Sequence, residues 1–233
     1  MAISLSSEQA FMRLTSLDVF RGMTIAMMIL VNMASLPDDG NKYLWLDHAP
    51  WHGYMIADLV FPFFLYIIGV AMAFSLAKYT SESTSVPKHV YWQIIRRSLI
   101  LFGLGLILNN LVWNYNLTHP KIFADLEHLR IMGVLQRIGI AFFLAAIAIL
   151  NLSTRGIWIL AGKILIGYWL ILNFIPALDN SDGVFTQLGN FGAYIDRLII
   201  TPAHLHKGSG SMSDPEGLFS TLPAIVNILF GYL

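Results

Sequence analysis

WLDHAPWHGYMIADLVFPFFLYIIGVAMAFSLA, residues 45–77, decides the fold. It opens on a polar, His- and Trp-rich entry (Asp47, His48, Trp51, His52) and runs directly into an apolar stretch. That stretch is long enough to cross a bilayer, which takes about 20 predominantly apolar residues. Two residues stand out inside it, Asp58 and Pro62. A carboxylate within a span costs about 2.5–3.5 kcal/mol on insertion scales and calls for a partner or a wet cavity. Pro62 has no N–H to give, so the carbonyl of Asp58 loses its helical hydrogen bond. A helix with a His-rich mouth, a carboxylate and a proline reads as the lining of a site rather than as an anchor.

The rest of the chain agrees with a membrane reading. Its 233 residues are 56% hydrophobic and 12% charged, with mean hydropathy +0.65. That is half the charge of a soluble domain, which is about 25% charged. The formal net charge is zero and there is no basic block, so nothing points to a nucleic-acid partner. There is no cysteine, which excludes disulfides, thiolate catalysis and Cys-ligated metal. Residues 1–15 lack a basic n-region with a short apolar core and read as a cytoplasmic tail.

Hydropathy predicts an all-α polytopic transmembrane bundle over residues 16–233. Five full spans fall at about 17–36, 54–77, 94–113, 131–150 and 156–175. A partial sixth starts near 218, where the sequence is expected to stop inside a helix. Loops at about 37–53, 114–130 and 176–217 separate them, with a Ser/Thr-rich linker at 81–85. Within the last loop, AYIDRLII at 193–200 is amphipathic and reads as a short interfacial helix. Lys and Arg placement puts the N-terminus in the cytoplasm. The inner side then holds Arg13, Arg21, Lys78, Lys88, Arg96, Arg97, Arg155 and Lys163, against Lys42, Lys121, Arg130, Arg197 and Lys207 outside. His48, His52, His119, His128, His204 and His206 all fall on the outer side.

Three groups of residues have chemistry to offer. His48 stands at the mouth of the second span, and imidazole takes and gives protons near neutrality or serves as a transient nucleophile. Asn32, at the outer end of the first span, is placed to steady an oxyanion or orient the imidazole. Asp58 either orients His48 or pairs with Arg137, which lies at a similar depth on span four. Arg130, Gln136 and Arg137 open that span and suit a phosphate-bearing ligand. The bland alternative makes Arg130 an interfacial anchor and Arg137 half of an ion pair. Trp51 and His52 are placed to meet a sugar, although Trp51 also suits an interfacial aromatic belt. Asp214 and Glu216 precede the sixth span as either substrate contacts or helix caps. His204 and His206 lie two apart without a third ligand, so no metal site is expected.

Four blocks, SLDVFRGMTIAMMILVN, HAPWHGYMIADLVFPFFLYIIGVAMAFSL, RIMGVLQRIGI and DPEGLFSTLPAI, occur in order along the chain. Together they strongly resemble the heparan-α-glucosaminide N-acetyltransferase family of polytopic membrane acetyltransferases. The resemblance implies transfer of acetyl from cytosolic acetyl-CoA, as co-substrate, to the amino group of a glucosamine-type sugar across the membrane. It matches the family's active histidine to His48 and its first-span asparagine to Asn32. It also implies a bacterial inner-membrane protein. The family usually has Asn where this chain has His52, and about ten spans where this chain has about six. Self-association is left open by the sequence. Two rival readings remain: a transporter using Asp58 and Arg137 within the membrane, and a non-catalytic structural membrane subunit.

Overall fold

A computed structural model of the chain describes residues 15–34, 45–80, 86–114, 126–179, 182–206 and 212–233. The N-terminal tail up to residue 14, the turn at 37–40, Lys42, the linker at 81–85, His119, Lys121, Lys207 and the GSGS run at 208–211 lie outside the described residues.

The described residues form the helices α1 (Thr15–Ala34), α2 (Ile56–Leu76), α3 (Lys88–Asn114), α4 (Val134–Asn151), α5 (Thr154–Phe174), α6 (Phe191–Ile199) and α7 (Thr221–Tyr232). Helices α1 to α5 are long and apolar enough to cross a membrane, whereas α7 is apolar but short. The chain is a multi-pass helical membrane protein, as its hydropathy predicts.

Two helix starts differ from the hydropathy reading, each for a local reason. Helix α3 begins at Lys88, about two turns before its apolar core, because Pro87 provides the first carbonyl, to the N–H of Val90 at 3.0 Å. Hydropathy locates the apolar part of a helix, not its polar first turns. Helix α4 begins at Val134, later than its apolar run. Gly133 is fully extended, with φ 177, and Ile131 donates its N–H to His204 O at 3.2 Å. The irregular strip at 130–133 therefore belongs to the loop layer at one end of the bundle. Pro62 sits inside α2 without ending it.

Helix α7 lies at the centre. It packs on α2, α4 and α5, and its Ala224, Ile225, Val226, Ile228 and Leu229 are buried in the main core with Leu65, Met72, Ala145, Ile149 and Ile157. Helices α2 and α7 meet backbone to backbone where Gly69 faces Gly231. A methyl group on Gly69 would fall on the carbonyl of Ile228 and 2.9 Å from Gly231 Cα. Such small-residue crossings let helices associate closely without large side chains. Helix α1 is a peripheral addition, joined to α2 through Val31, Ala57 and Val60. These contacts bring the last turn of α1 and the first turns of α2, α4 and α7 to one end of the bundle, where α5 finishes. That end carries His48 and is called the site end below.

Candidate functional site

Asp58 belongs to the first turn of α2, not to its membrane-deep middle. Its Oδ2 accepts from Met55 N at 2.8 Å and from Ala49 N at 3.3 Å. Its Oδ1 lies 2.6 Å from His48 Nδ1. An ionised carboxylate only accepts, so Nδ1 carries the hydrogen and Nε2 keeps the lone pair. Three hydrogen bonds and a position at the helix mouth, with the side chain 28% exposed, offset the cost of the charge. The His48 ring is 62% exposed. Asp58 thus pairs with His48 and not with Arg137. The distance along the sequence gave both partners the same depth, but the irregular 45–55 segment folds back over the helix mouth.

Arg137 turns instead to the segment before α7. Its Nη2 donates to Pro215 O at 2.9 Å, to Gly217 O at 3.5 Å and to Ser220 Oγ, and its guanidinium lies 5.6 Å from the Phe61 ring. Asp196, on α6, grips the same segment from the other side. It is 3% exposed, and its Oδ1 accepts from Leu218 N at 2.7 Å. Gly217 has to be glycine, because a Cβ there would land on the Asp196 carboxylate. Burial pushes the Asp196 carboxyl up to about 6, against the opposing pull of the Leu218 and Phe219 N–H groups.

This double grip fixes Asp214 and Glu216. Asp214 receives Arg130 Nε at 3.1 Å and Nη2 at 2.6 Å, and Glu216 Oε2 receives the same Nη2. Burial alone would lower the Arg130 guanidinium, but Asp214 and Glu216 outweigh it and hold it above its ordinary value. Neither acid caps α7: its N-cap is Ser220, with no side-chain cap bond. The acids are drawn to the nearer cation. A second guanidinium ties the loops together, with Arg197 holding Asp179 through two bonds of 2.6 Å and donating to Leu188 O and Met212 O. That contact keeps the exposed Asp179 carboxyl below its ordinary value.

The result is one cavity of about 820 Å³ at the site end. Its wall brings together His48, Asp58, Trp51, His52, Arg130, Asp214 and Glu216, all singled out from sequence. Trp51 donates its Nε1 to Phe185 O at 2.7 Å and leaves its ring 43% exposed. The ring of His52 lies 6.3 Å from it, edge-on. Three sequence candidates lie outside the wall. Asn32 is exposed on the last turn of α1, beside the buried Val31. Arg137 sits behind the wall. Gln136 is fully buried in the gap left by Gly105 and Gly133, with neither amide atom hydrogen-bonded among the described residues.

Sequence reasoning missed Asp196 and Tyr168, which also line the cavity, and weighed His206, a third lining residue, only beside His204 as a metal pair. Asp196 was visible only as the polar face of an amphipathic segment. Tyr168 passed for span filler in α5, yet it stacks on Phe219 at 5.1 Å. The His206 imidazole is held below its ordinary value by burial and by Arg130. His204 has a structural part, its Nδ1 lying 2.8 Å from Leu129 O.

A multi-pass helical bundle with a His–carboxylate pair at the edge of a polar cavity defines a membrane protein whose site is equipped for proton or acyl transfer. The sequence profile described as Heparan-alpha-glucosaminide N-acetyltransferase, catalytic, matches residues 13–188. Among characterised relatives, the human heparan-alpha-glucosaminide N-acetyltransferase is 31% identical over 94% of this chain and 37% of its own length. The mouse protein of the same name is 28% identical over 94% of this chain and 38% of its own. The chain belongs to the heparan-α-glucosaminide N-acetyltransferase family, and it spans a little over a third of the length of these relatives.

Proposed function

We propose that the chain is the His-bearing part of a membrane acetyltransferase. It moves acetyl from acetyl-CoA to the amino group of a glucosamine-type sugar on the extracytoplasmic side of a bacterial inner membrane. The observation that carries this is the His48–Asp58 pair at 2.6 Å on the wall of an open polar cavity, in a chain of this family. Asp58 fixes the tautomer, so His48 Nε2 is the working atom. As a base, Nε2 takes a proton from the acceptor ammonium. The freed amine attacks the thioester carbonyl, the C–S bond breaks, and the CoA thiolate leaves and takes up the second proton that the nitrogen sheds on becoming an amide. As a nucleophile, Nε2 attacks the thioester carbonyl first, the C–S bond breaks and the CoA thiolate leaves; the acceptor amine then attacks the acetyl-imidazole, its C–N bond breaks and His48 is freed. Acetylated His48 trapped in the absence of acceptor decides for the second route.

Of the residues read from sequence as donor-binding, Arg130 alone reaches the wall, and its charge is answered by Asp214 and Glu216. A second cavity, of about 550 Å³ between α2, α3 and α4 at the opposite end, is lined by Lys78, Gln93, Tyr79 and Arg97 beside apolar residues, with no acid among the described residues of its wall. We assign the donor's phosphates to that end. Asn32 is kept as an oxyanion candidate on the strength of the family match, and Trp51 and His52 as acceptor contacts on their place at the rim.

The test is His48→Ala, assayed for acetyl-CoA-dependent acetylation of glucosamine in membranes. A loss of about 10²-fold or more is expected for removal of a general base or nucleophile. Retained transfer would sink the assignment of His48; no transfer by the unmutated protein would favour the transporter reading.

A further inference from the structure

We infer that the outward face of α5 docks a further transmembrane helix, one that brings an Asp or Glu to mid-depth to meet Lys163.

Lys163 lies near the middle of α5 (Thr154–Phe174), a helix long and apolar enough to cross the membrane. It stands about two and a half turns from Thr154 and about three from Phe174. Sequence placement counts Lys163 among the inner-side cations, but the unbroken helix carries it to mid-span. A lysine near the end of a span reaches the interface with its long side chain. One at the middle is costly against hydrocarbon, and such residues pair with an opposite charge or face water.

The geometry of α5 rules out the protein's own interior as that partner. At about 100° per residue, Lys163 shares one face with Ile159, Ile166 and Leu170. Ile157, Ala161 and Tyr168 lie on the opposite side, the first two buried in the main core and the third on the wall of the His48 cavity. The Lys163 face therefore points away from the bundle, and Lys163 lines neither of the two cavities described above. Ile159, Ile166 and Leu170 are 58%, 61% and 43% exposed, and Lys163 is exposed with them. A methyl group added at Gly162 or Gly167, on the two edges of this face, meets nothing within 4 Å. Lys163 makes no hydrogen bond or ion pair with any described residue.

Charge complementarity selects the occupant. A second copy docked about a twofold axis through this face sets Lys163 against Lys163. The described spans have no acid to offer at mid-depth either. Asp18 and Asp58 sit in the first turns of α1 and α2, and α3, α4, α5 and α7 contain neither Asp nor Glu. The occupant is thus a different helix with a carboxylate near its middle, which cancels the ammonium charge as an amide or hydroxyl does not. Gly162 and Gly167 let its backbone come close, as small residues do at helix crossings in membranes.

The experiment puts a photo-crosslinking amino acid in place of Ile166 in the whole protein in its native membrane, and identifies the adduct by mass spectrometry. The expected adduct is a transmembrane helix with an Asp or Glu near its middle. Lys163→Glu should cut its yield at least about fivefold by like-charge repulsion, and exchanging the partner's acid for Lys should restore it. Separately, Lys163→Met should lower the melting temperature in native-lipid particles by several degrees, because it leaves the partner's acid unpaired, whereas Lys163→Arg should hold it near wild type. If Lys163→Glu fails to accumulate, the Ile166 adduct and the comparison of Met with Arg decide. Adducts with lipid alone, with a second copy or with a helix lacking a mid-depth acid overturn the inference. A Lys163→Met protein as stable as wild type, as for a lysine that merely faces lipid, overturns it as well.

Discussion

At the residue scale, Asp58 and Asp196 show how one side-chain type serves two ends. Asp58 is wetter and tied to an imidazole. Replacing it with Asn keeps an oxygen for the Met55 N–H but lets the amide donate toward Nδ1. The ring then shifts its hydrogen to Nε2, and the working lone pair is lost. Asp58→Asn is expected to lower kcat for acetyl transfer about 10²-fold or more while the protein melts at nearly its normal temperature. Full activity would show that the pair is structural only. Asp196 is dry. Its folded value of about 6 lies above the unfolded value near 3.8, so the fold binds the proton more tightly than the unfolded chain. The stability tied to this proton is complete below pH 4 and lost as pH rises through 6, up to about 3 kcal/mol for a shift of this size. Asp196→Asn should therefore flatten the change in melting temperature between pH 5 and pH 7.5. A variant that keeps the wild-type slope would move the effect to another group. The sequence displayed His48 and Asp58 because a polar mouth on an apolar helix is conspicuous. It hid Asp196 because a single Asp on an amphipathic helix has the same pattern whether its partner is water or a backbone N–H.

At the element scale, spans were legible and their packing was not. Hydropathy reports length and apolarity, and it found the cores of α1 to α5. It gave no sign that the short α7 is the hub, because centrality depends on which faces meet. The clue lay in Gly69 and Gly231, which look alike in sequence with every other span glycine. Their exchange makes a sharp contrast. Gly69→Ala places a methyl on the Ile228 carbonyl. It should cost about 2 kcal/mol or more and lower the melting temperature in detergent. Gly103→Ala, on α3, meets nothing within 4 Å of the new Cβ. It should be neutral or slightly stabilising, since Ala is favoured over Gly by up to about 1 kcal/mol in a helix. Equal effects at the two positions would mean that α7 does not dock on α2 through this crossing. The segment before α7 was legible in part. The acids of DPEG were noticed, as substrate contacts or helix caps, but not as partners of Arg130. A cap needs only its own helix, whereas these acids answer Arg130, 84 and 86 positions away.

At the scale of the whole molecule, the bundle has two chemically different ends. The site end carries the His48 cavity, and two of its three described arginines, Arg130 and Arg197, are held by carboxylates, while Arg137 is held by carbonyls and Ser220. The opposite end gathers Lys78, Lys88, Arg96, Arg97 and Arg155, on the last turn of α2 or just beyond it and on the first turns of α3 and α5. Basic residues flanking spans stay on the cytoplasmic side as a rule, so this asymmetry supports the proposed orientation, with His48 facing out. The proposed acceptor on one side and donor on the other depend on that orientation, which makes it worth measuring directly. The chain has no cysteine, so a single introduced thiol is a clean reporter. Leu178→Cys lies in the loop after α5 and is 76% exposed; Thr154→Cys lies at the start of α5, also exposed. In intact cells a membrane-impermeant maleimide should label Leu178→Cys and leave Thr154→Cys unlabelled until the membrane is opened. The reverse pattern would turn the His48 cavity toward the cytoplasm. The amine acceptor would then have to be a cytoplasmic sugar, and the donor would no longer need to reach across the bundle.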